Sequence, residues 1–155
     1  IDHFKRINDQ CGHAGGDSVL VEIARRLRQA LRDDDLIVRW GGEEFLVLVR
    51  PLPQAEAGAL AQRLLCALAD APVLHDGREV PVSASIGFGQ FPMRAAAAQP
   101  DLALHWERAI ALVDVAMYMA KARGRNGACG IQRVDAAGAA EVEQVIEQAE
   151  KALHE

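Results

Sequence analysis

The strongest constraint on the fold of this chain is a pair of β-rich runs joined by two glycines. The run LIVRW is followed directly by Gly41 and Gly42, and these are followed by EEFLVLV. Two such runs around a glycine pair predict an antiparallel hairpin with a tight turn. Helical patterns lie on both sides of this hairpin, so we expect an α/β or α+β fold whose sheet is at least partly antiparallel.

The rest of the chain alternates between helical and strand patterns. Apolar residues recur at helical spacing in the segments 18–32, 54–71, 101–124 and 138–155. The first 17 residues are rich in Gly, Asp and Asn, which predicts a strand end and a loop, with Asp17 as the N-cap of the first helix. EVPVSASIGFG alternates as a single half-buried strand does, and ACGIQRV predicts a final short strand.

Composition narrows the class of protein. The sequence has 155 residues, which fits one domain, and its net charge of −5 argues against a nucleic-acid polymer as partner. It contains no apolar run of about 20 residues, so we expect no membrane segment. Charged residues stand where a signal peptide would begin. The three cysteines match neither a disulfide framework nor a metal motif, so we expect reduced thiols and a cytoplasmic protein.

Two carboxylates follow the glycine pair of the hairpin. Glu43 and Glu44 lie at the tip of the predicted turn, where glycine lets a ligand approach the backbone closely. Neighbouring strand residues point to opposite faces, so one carboxylate could bind a cation while the other faces a different environment. Oxygen ligands of this kind suit Mg²⁺, which arrives with substrate phosphates. An ordinary solvated turn explains the same residues when they are considered alone.

Two further groups of polar residues are candidates for binding a nucleotide. Asn8 and Asp17 flank a glycine-rich stretch, and an Asp–Asn pair can discriminate guanine, which offers two N–H donors and an acceptor, from adenine. A turn residue and an N-cap are the alternative roles. Lys121 and Arg125 near the end of the third helix, with Lys5, are candidate phosphate ligands. The helix dipole alone also favours cations at that end.

Four motifs in register resemble the GGDEF domain of diguanylate cyclases, over about residues 1–130: IDHFKRINDQCGHAGGDSVL, RWGGEEF, VSASIGFG and VDVAMYMAKARGRN. The GGEEF variant is one of the two forms usual in active members. The resemblance implies a five-stranded, mostly antiparallel central sheet wrapped by helices, as in nucleotidyl cyclases and polymerase palms. It implies a domain over 1–134 and a C-terminal amphipathic helix or tail over 135–155.

The resemblance implies an enzyme that condenses two GTP into cyclic di-GMP with release of pyrophosphate, across a homodimer. It implies Mg²⁺ or Mn²⁺ as cofactor and an upstream sensory or receiver domain in the full protein. The matching positions are Glu44 and Lys5 for catalysis, Glu43 and the carbonyl of Ile1 for the metal, Asn8, Asp17 and Leu20 for guanine, and Lys5, Lys121 and Arg125 for phosphate.

A second motif implies inhibition by the product. Arg32 and Asp35 form an Arg-x-x-Asp that matches the family's site for cyclic di-GMP, and Arg63 matches its secondary arginine. A guanidinium can bond bidentately to the Hoogsteen edge of guanine, and a carboxylate can accept from the base. A charged loop that matches by chance is the alternative.

One position of the family pattern has no counterpart in the sequence. The first metal-binding aspartate of the family lies just before the position that Ile1 matches, and the sequence begins at Ile1, within the first strand. We expect a chain that starts there to be destabilised and nearly inactive. Asp2 matches a neighbouring position whose side chain should point to the other face. A catalytically inactive receptor for GTP or cyclic di-GMP is therefore the alternative to the cyclase.

Overall fold

The computed structural model of the protein describes residues 1–92 and 105–131, together with isolated positions between 141 and 151. Within these residues, every helix is too short or too polar to cross a membrane. The elements in chain order are α1 (Phe4–Ala30), β1 (Leu36–Arg39), β2 (Phe45–Leu48), α2 (Gln54–Ala69), β3 (Val73–His75), β4 (Arg78–Val80), β5 (Ile86–Gly89), α3 (Trp106–Ala122) and β6 (Ala128–Ile131).

The hairpin around the glycine pair is confirmed. β1 pairs antiparallel with β2, with Arg39 opposite Phe45 at the end next to the turn. The Trp40 N–H donates to the Glu44 carbonyl oxygen at 2.9 Å, and the Arg39 guanidinium donates to the Gly42 carbonyl oxygen at 2.7 Å. These bonds close the turn from both sides, so the glycine pair and the carboxylates after it have a defined conformation.

The opening segment is helical, and the loop predicted for it is wrong. α1 consists of two helices that meet at Gly12, whose φ of 71° is accessible to glycine without steric cost. Asp17 lies inside the second of these helices and is not its N-cap, contrary to the prediction. Phe4 and Ile7, one turn apart, are both buried in the core. Tertiary packing of this apolar face stabilises a helix that the Gly, Asp and Asn content disfavours.

The segment 79–89, predicted as one strand, contains parts of two strands with different partners. β4 pairs antiparallel with β3, whereas β5 pairs parallel with β6. Pro81 follows β4 and has no N–H to donate to a ladder. Val82 and Ala84 are nevertheless buried in the core. The alternation of apolar and polar residues therefore reflects alternate burial of side chains, and here it does not indicate strand pairing.

The strands of the described residues form three two-stranded ladders, so the implied five-stranded sheet is not seen in them. The mixed α/β class that the sequence predicted is confirmed. Ile1 and Asp2 connect two of the strand regions. The Ile1 amino group donates to the Glu43 carbonyl oxygen at 3.0 Å, and the Asp2 N–H donates to the Ser83 carbonyl oxygen at 2.9 Å. Hydrogen bonds from these two residues therefore link the hairpin turn to the segment before β5.

The main core lies where α1 packs against α2 and the strands, and Val19 and Ile23 of α1 are its most completely buried large side chains. Arg26 joins the two helices although it is only 8% exposed. Its guanidinium donates to the Leu68 carbonyl oxygen at 2.7 Å and to the Glu22 carboxylate at 2.8 Å. Because these acceptors satisfy the buried charge, α1 and α2 are held in one relative position.

α3 packs across the parallel pair β5–β6. Its predicted end near Gly124 is confirmed, whereas its predicted start near residue 101 is wrong, because the helix begins at Trp106 after His105, whose backbone is extended. The predicted tail helix over 138–155 is described only at isolated positions, among which Ile146 is buried against Ala109 and Leu112 of α3.

The packing of α3 on β5 predicts opposite effects for two glycine-to-alanine substitutions. A Cβ at Gly87 would lie 2.0 Å from the Val113 carbonyl oxygen and 2.5 Å from the Met117 nitrogen, both backbone atoms of α3. We expect Gly87→Ala to destabilise the protein by about 1–3 kcal/mol. In the control Gly58→Ala, the new Cβ meets only Phe88 Cζ at 3.9 Å, and we expect stabilisation of about 0.5–1 kcal/mol. Urea unfolding measures both, and equal effects would contradict this packing.

Candidate functional site

Both carboxylates of the hairpin turn are half-buried. The Glu44 side chain folds back over the turn, because a Cβ built at Gly41 would lie 2.7 Å from Glu44 Oε2. Any side chain at position 41 would therefore displace this carboxylate. The first glycine of the pair thus leaves room for Glu44 as well as shaping the turn.

The start of the chain lies against this turn, within reach of several charges. The Ile1 nitrogen lies within electrostatic range of Lys121, Glu43, Asp2 and Glu44. All these charges act on one atom, which itself donates to the Glu43 carbonyl oxygen. The structure therefore places Glu43 in contact with Ile1, and Glu44 and Lys121 within electrostatic range of it, although these residues come from three separate parts of the sequence.

Asp2 is 4% exposed, and its carboxylate accepts three hydrogen bonds. The donors are Ser83 Oγ at 2.8 Å, Ser85 Oγ at 2.7 Å and the Asn126 N–H at 3.0 Å. Burial alone raises the pKa of Asp2, but the bonds from Ser85, Asn126 and Ser83 outweigh it, so that the pKa is lowered. Sequence reasoning gave Asp2 no role, because nothing in the sequence indicates that these donors surround it.

The end of α3 carries the two predicted phosphate ligands, half-buried Lys121 and exposed Arg125. Gly124, with φ 111°, ends the helix. Its N–H donates to the Lys121 carbonyl oxygen at 3.3 Å, and the Arg125 N–H donates to the Ala120 carbonyl oxygen at 3.1 Å. This pair of bonds is the Schellman motif, which terminates a helix and fixes the direction of the chain after it. Lys121 and Arg125 are therefore close together at one helix end.

The predicted guanine-binding residues lie on both sides of the bend at Gly12. Asn8 belongs to the first part of α1, and a Cβ at Gly16 would lie 2.0 Å from Asn8 Oδ1. The Asn8 side chain thus lies against the backbone next to Asp17, which is exposed. Leu20 is buried in the core and also lines a groove of about 590 Å³ between α1 and β1. Asp35 also lines this groove, whereas Asn8 and Asp17 do not, so the groove does not join Leu20 to the other two predicted guanine-binding residues.

Lys5 is exposed at the start of α1, one position after the buried Phe4. The structure gives no hydrogen bond or ion pair that ties its ammonium group to the other candidate residues described above. Its assignment to catalysis and to phosphate therefore stays a prediction from the resemblance.

The Arg-x-x-Asp motif forms a short loop after α1. Asp35 is 5% exposed, and its Oδ2 accepts the Arg32 N–H at 2.9 Å. Arg28 donates to the Asp35 carbonyl oxygen at 2.9 Å, and Arg63 of α2 donates to the Ala30 carbonyl oxygen at 3.2 Å. The loop therefore brings all three predicted residues to one end of α1. The Asp35 carboxylate is buried and accepts this hydrogen bond through one of its two oxygens, whereas the Arg32 side chain is exposed.

The hairpin turn offers a small set of oxygen donors for a metal ion. Within the described ranges, no three His, Cys, Asp or Glu side chains come together as a metal site. The Glu43 carboxylate and the Ile1 carbonyl are both oxygen donors. Mg²⁺ is usually bound by one or two carboxylates, with substrate phosphates and water completing its shell. These donors therefore fit a divalent cation that binds together with a nucleotide.

The fold and these residues define a mixed α/β domain with a candidate nucleotide site where its hairpin turn meets a helix end. Comparison with protein families identifies the class. Residues 1–127 match the family described as "Diguanylate cyclase, GGDEF domain", and the chain belongs to this family. The resemblance drawn from the four sequence motifs is thereby confirmed.

Known relatives support the assignment. Diguanylate cyclase TpbB of Pseudomonas aeruginosa is 44% identical over 127 residues, which are 81% of this chain and 27% of that protein. The chain thus spans about a quarter of the length of this relative. The crystal structure of the TpbB GGDEF domain has a TM-score of 0.72 at 38% identity, covering 84% of this chain and 77% of that chain.

The active GGEEF domain of a diguanylate cyclase from Vibrio cholerae has a TM-score of 0.65 at 29% identity. The match covers 86% of this chain and 79% of that chain. An active domain with this motif shows that two glutamates after the glycine pair are compatible with activity in that protein.

The helix end that carries Lys121 and Arg125 should depend on Gly124. Its φ of 111° is unfavourable for any residue with a Cβ, so we expect Gly124→Ala to destabilise the protein by about 1–2 kcal/mol. Gly127→Ala is the control, since its Cβ would meet only the Arg125 carbonyl oxygen, at 3.4 Å. Thermal unfolding of both variants tests this, and a wild-type midpoint for Gly124→Ala would contradict the described helix end.

Proposed function

We propose that this domain is a diguanylate cyclase that condenses two GTP molecules into cyclic di-GMP and releases two pyrophosphates. The observation that carries the proposal is the convergence of Ile1, Glu43, Glu44 and Lys121 at the hairpin turn. A phosphoryl transfer from a metal-bound triphosphate needs cations that bind the phosphates and carboxylates that bind the metal ion or accept a proton. Lys121 can provide the first kind of group, and Glu43 and Glu44 the second. Membership of the family and the names of the relatives agree with it.

In the proposed reaction, the 3′-hydroxyl oxygen of one GTP attacks the α-phosphorus of the other. A new P–O bond forms, the bond from the α-phosphorus to the leaving pyrophosphate oxygen breaks, and Glu44 accepts the hydroxyl proton. The same step with the two nucleotides exchanged closes the ring. Each domain holds one GTP, so the reaction needs two domains face to face, as a homodimer.

The phosphates would be held by Lys5, Lys121 and Arg125. The Glu43 carboxylate and the Ile1 carbonyl would hold Mg²⁺ or Mn²⁺, which neutralises phosphate charge when it is bound. The remaining requirement is alignment of the attacking oxygen, the α-phosphorus and the leaving group, which these side chains provide by fixing the triphosphate.

Guanine would be selected by Asn8 and Asp17, with Leu20 against the base. The Asn8 side-chain oxygen lies against Gly16, so the Asn8 side-chain nitrogen would donate to N3 of the base. The exposed Asp17 carboxylate can accept from N1–H and the 2-amino group. Adenine has no such pair of donors, and a carboxylate left unpaired in the complex makes adenine binding unfavourable.

We further propose that cyclic di-GMP inhibits the enzyme at Arg32, Asp35 and Arg63. The exposed Arg32 guanidinium can bond to a guanine edge. The Arg32 N–H donates to Asp35 Oδ2, and this bond stabilises the conformation of the loop. A sensory or receiver domain elsewhere in the protein would control the encounter of two cyclase domains. The inactive receptor is not favoured, since both carboxylates of the turn are present and relatives are named diguanylate cyclases.

The cyclase is tested by chromatography of the products formed from GTP and Mg²⁺ by the natural full-length protein. We expect cyclic di-GMP, and we expect Glu44→Gln to reduce its rate of formation by about 100-fold or more, because the proton acceptor is lost. Glu79→Gln, the same change at an exposed position on β4, is the control and should be without effect. Absence of product from wild-type protein that binds GTP and dimerises would favour a receptor instead.

Product inhibition predicts a separate phenotype for Arg32. We expect Arg32→Ala to raise the inhibition constant of cyclic di-GMP by about 10-fold or more, since a bidentate guanidinium–guanine pair is lost. The initial rate without added product should not change. Arg78→Ala, at an exposed position on β4, serves as the charge control. An unchanged inhibition constant in Arg32→Ala would mean that the Arg-x-x-Asp motif matches the family's product site only by chance.

A further inference from the structure

The buried Asp2 carboxylate accepts a third hydrogen bond in addition to two from serine hydroxyls. A buried carboxylate is costly unless its oxygens are satisfied, and two donors, Ser83 Oγ and Ser85 Oγ, already come from the neighbouring segment. The third donor is different in kind. It is the backbone N–H of Asn126, which is 124 positions away and belongs to the turn after α3.

The turn that donates this bond has an unfavourable backbone conformation. Arg125 has φ 62° and Asn126 has φ 44°, both in the left-handed region. Such a conformation is unfavourable for a residue with a Cβ, although asparagine tolerates it better than most. Residues of this kind keep their conformation only where surrounding contacts fix them, and they are frequent at functional sites.

The bonds of the turn show which contact fixes it from outside. The Gly124 and Arg125 N–H groups donate back into α3, to Lys121 and Ala120. The Asn126 N–H donates to Asp2 Oδ2. Among the bonds described for the N–H groups of these three residues, this is the one that ties the turn to another element. One residue further on, the Gly127 carbonyl oxygen accepts the Ile86 N–H of β5 at 2.9 Å. β5 therefore holds the end of the turn, while the Asp2 carboxylate holds Asn126, the residue next to Arg125.

We propose that Asp2 is a positioning residue, which holds Arg125 beside the hairpin turn for contact with the triphosphate of GTP by accepting the Asn126 N–H. This inference rests on the proposed function. Asp2 does not touch the nucleotide in this arrangement, and it acts through the backbone at Asn126. Its own N–H, bonded to the Ser83 carbonyl oxygen, fixes the neighbouring Ile1 in the same way.

The inference predicts different results for three substitutions. Asp2→Ala removes the acceptor, and Asp2→Ser leaves a hydroxyl for the neighbouring serines that is too short to reach the Asn126 N–H. Asp2→Asn keeps a carbonyl oxygen for the Asn126 N–H, while its amide can donate to a rotated serine hydroxyl. We expect Asp2→Ala and Asp2→Ser to raise the dissociation constant of GTP about 10-fold, and Asp2→Asn to stay within about 2-fold of wild type, a rescue by the conservative variant.

A double-mutant cycle with Arg125→Ala tests whether Asp2 acts through Arg125. GTP binding is measured by calorimetry with Mg²⁺ on the full-length protein that carries Glu44→Gln throughout, so that turnover does not consume the GTP, and thermal unfolding verifies that each variant is folded. If Asp2→Ala does not fold, Asp2→Ser takes its place. Once Arg125 is already alanine, we expect loss of the Asp2 acceptor to weaken binding by less than about 2-fold further.

Two results would overturn the inference. Effects of Asp2 and Arg125 that multiply would mean that Asp2 supports the domain generally and not through Arg125. Wild-type GTP affinity in folded Asp2→Ala or Asp2→Ser would mean that the turn keeps its position without the bond. Failure of the wild-type protein to bind GTP would overturn the inference and the proposed function together, so the two failures are distinguishable.

Discussion

The structure depends on the hydrogen bonds that two residues at the start of the chain make to three distant segments. Ile1 bonds to the hairpin turn across 42 positions, and the Asp2 side chain bonds to Ser83 across 81 and to Asn126 across 124. The described strands form separate two-stranded ladders, so these bonds set the relative positions of turns that no continuous sheet connects. Closing loops of such length costs conformational entropy, which the surrounding core must offset.

The candidate chemistry lies where these segments meet, and each contributes a different kind of group. The hairpin supplies two carboxylates, and the end of α3 supplies cations, which the helix dipole also favours there. Lys121, Glu43 and Glu44, which carry opposite charges, all lie within electrostatic range of the Ile1 nitrogen. A triphosphate with its metal ion would bring both signs of charge to the same place. Binding would thus replace these mutual interactions with stronger ones, and ligand binding of this kind stabilises the folded domain.

The sequence patterns predicted those helices and strands that are determined by residues close together in the chain. A glycine pair between β-rich runs gives the hairpin, and helical spacing over 54–71 gives α2, because both patterns reflect the elements themselves. The prediction failed at Phe4 and Ile7, where burial stabilises a helix that the composition disfavours. It failed again over 79–89, where apolar alternation arises from burial in the core without strand pairing. Asp76 and Gly77, both with positive φ, join β3 to β4, and this Asp-Gly hairpin signal was available in the sequence.

The candidate site residues were predicted from motifs, whereas the contacts that hold them were not. A carboxylate beside a motif carries no periodic signal, so the role of Asp2 required the structure. The same holds for Arg28, which bonds to the Asp35 carbonyl oxygen and so fixes the Arg-x-x-Asp loop. In both cases a candidate site residue has a neighbour for which no role was predicted. The contacts of Asp2 follow only when distant segments are brought together, and the contact of Arg28 follows only when the chain turns after α1.

The geometry of α1 bears on how a ligand at the Arg-x-x-Asp loop could affect the guanine residues. Asp17 and Arg32 are 15 positions apart, which corresponds to about 22 Å along a helix. Between them, Arg26 is bonded to α2 through the Leu68 carbonyl oxygen, and Val19 and Ile23 are fully buried. A close-packed helix has low compressibility, so a change at one end would reach the other only by moving the whole helix against its core contacts. For the proposed inhibition at the Arg-x-x-Asp loop, this packing favours a block on the approach of a second domain over deformation of the proposed guanine site.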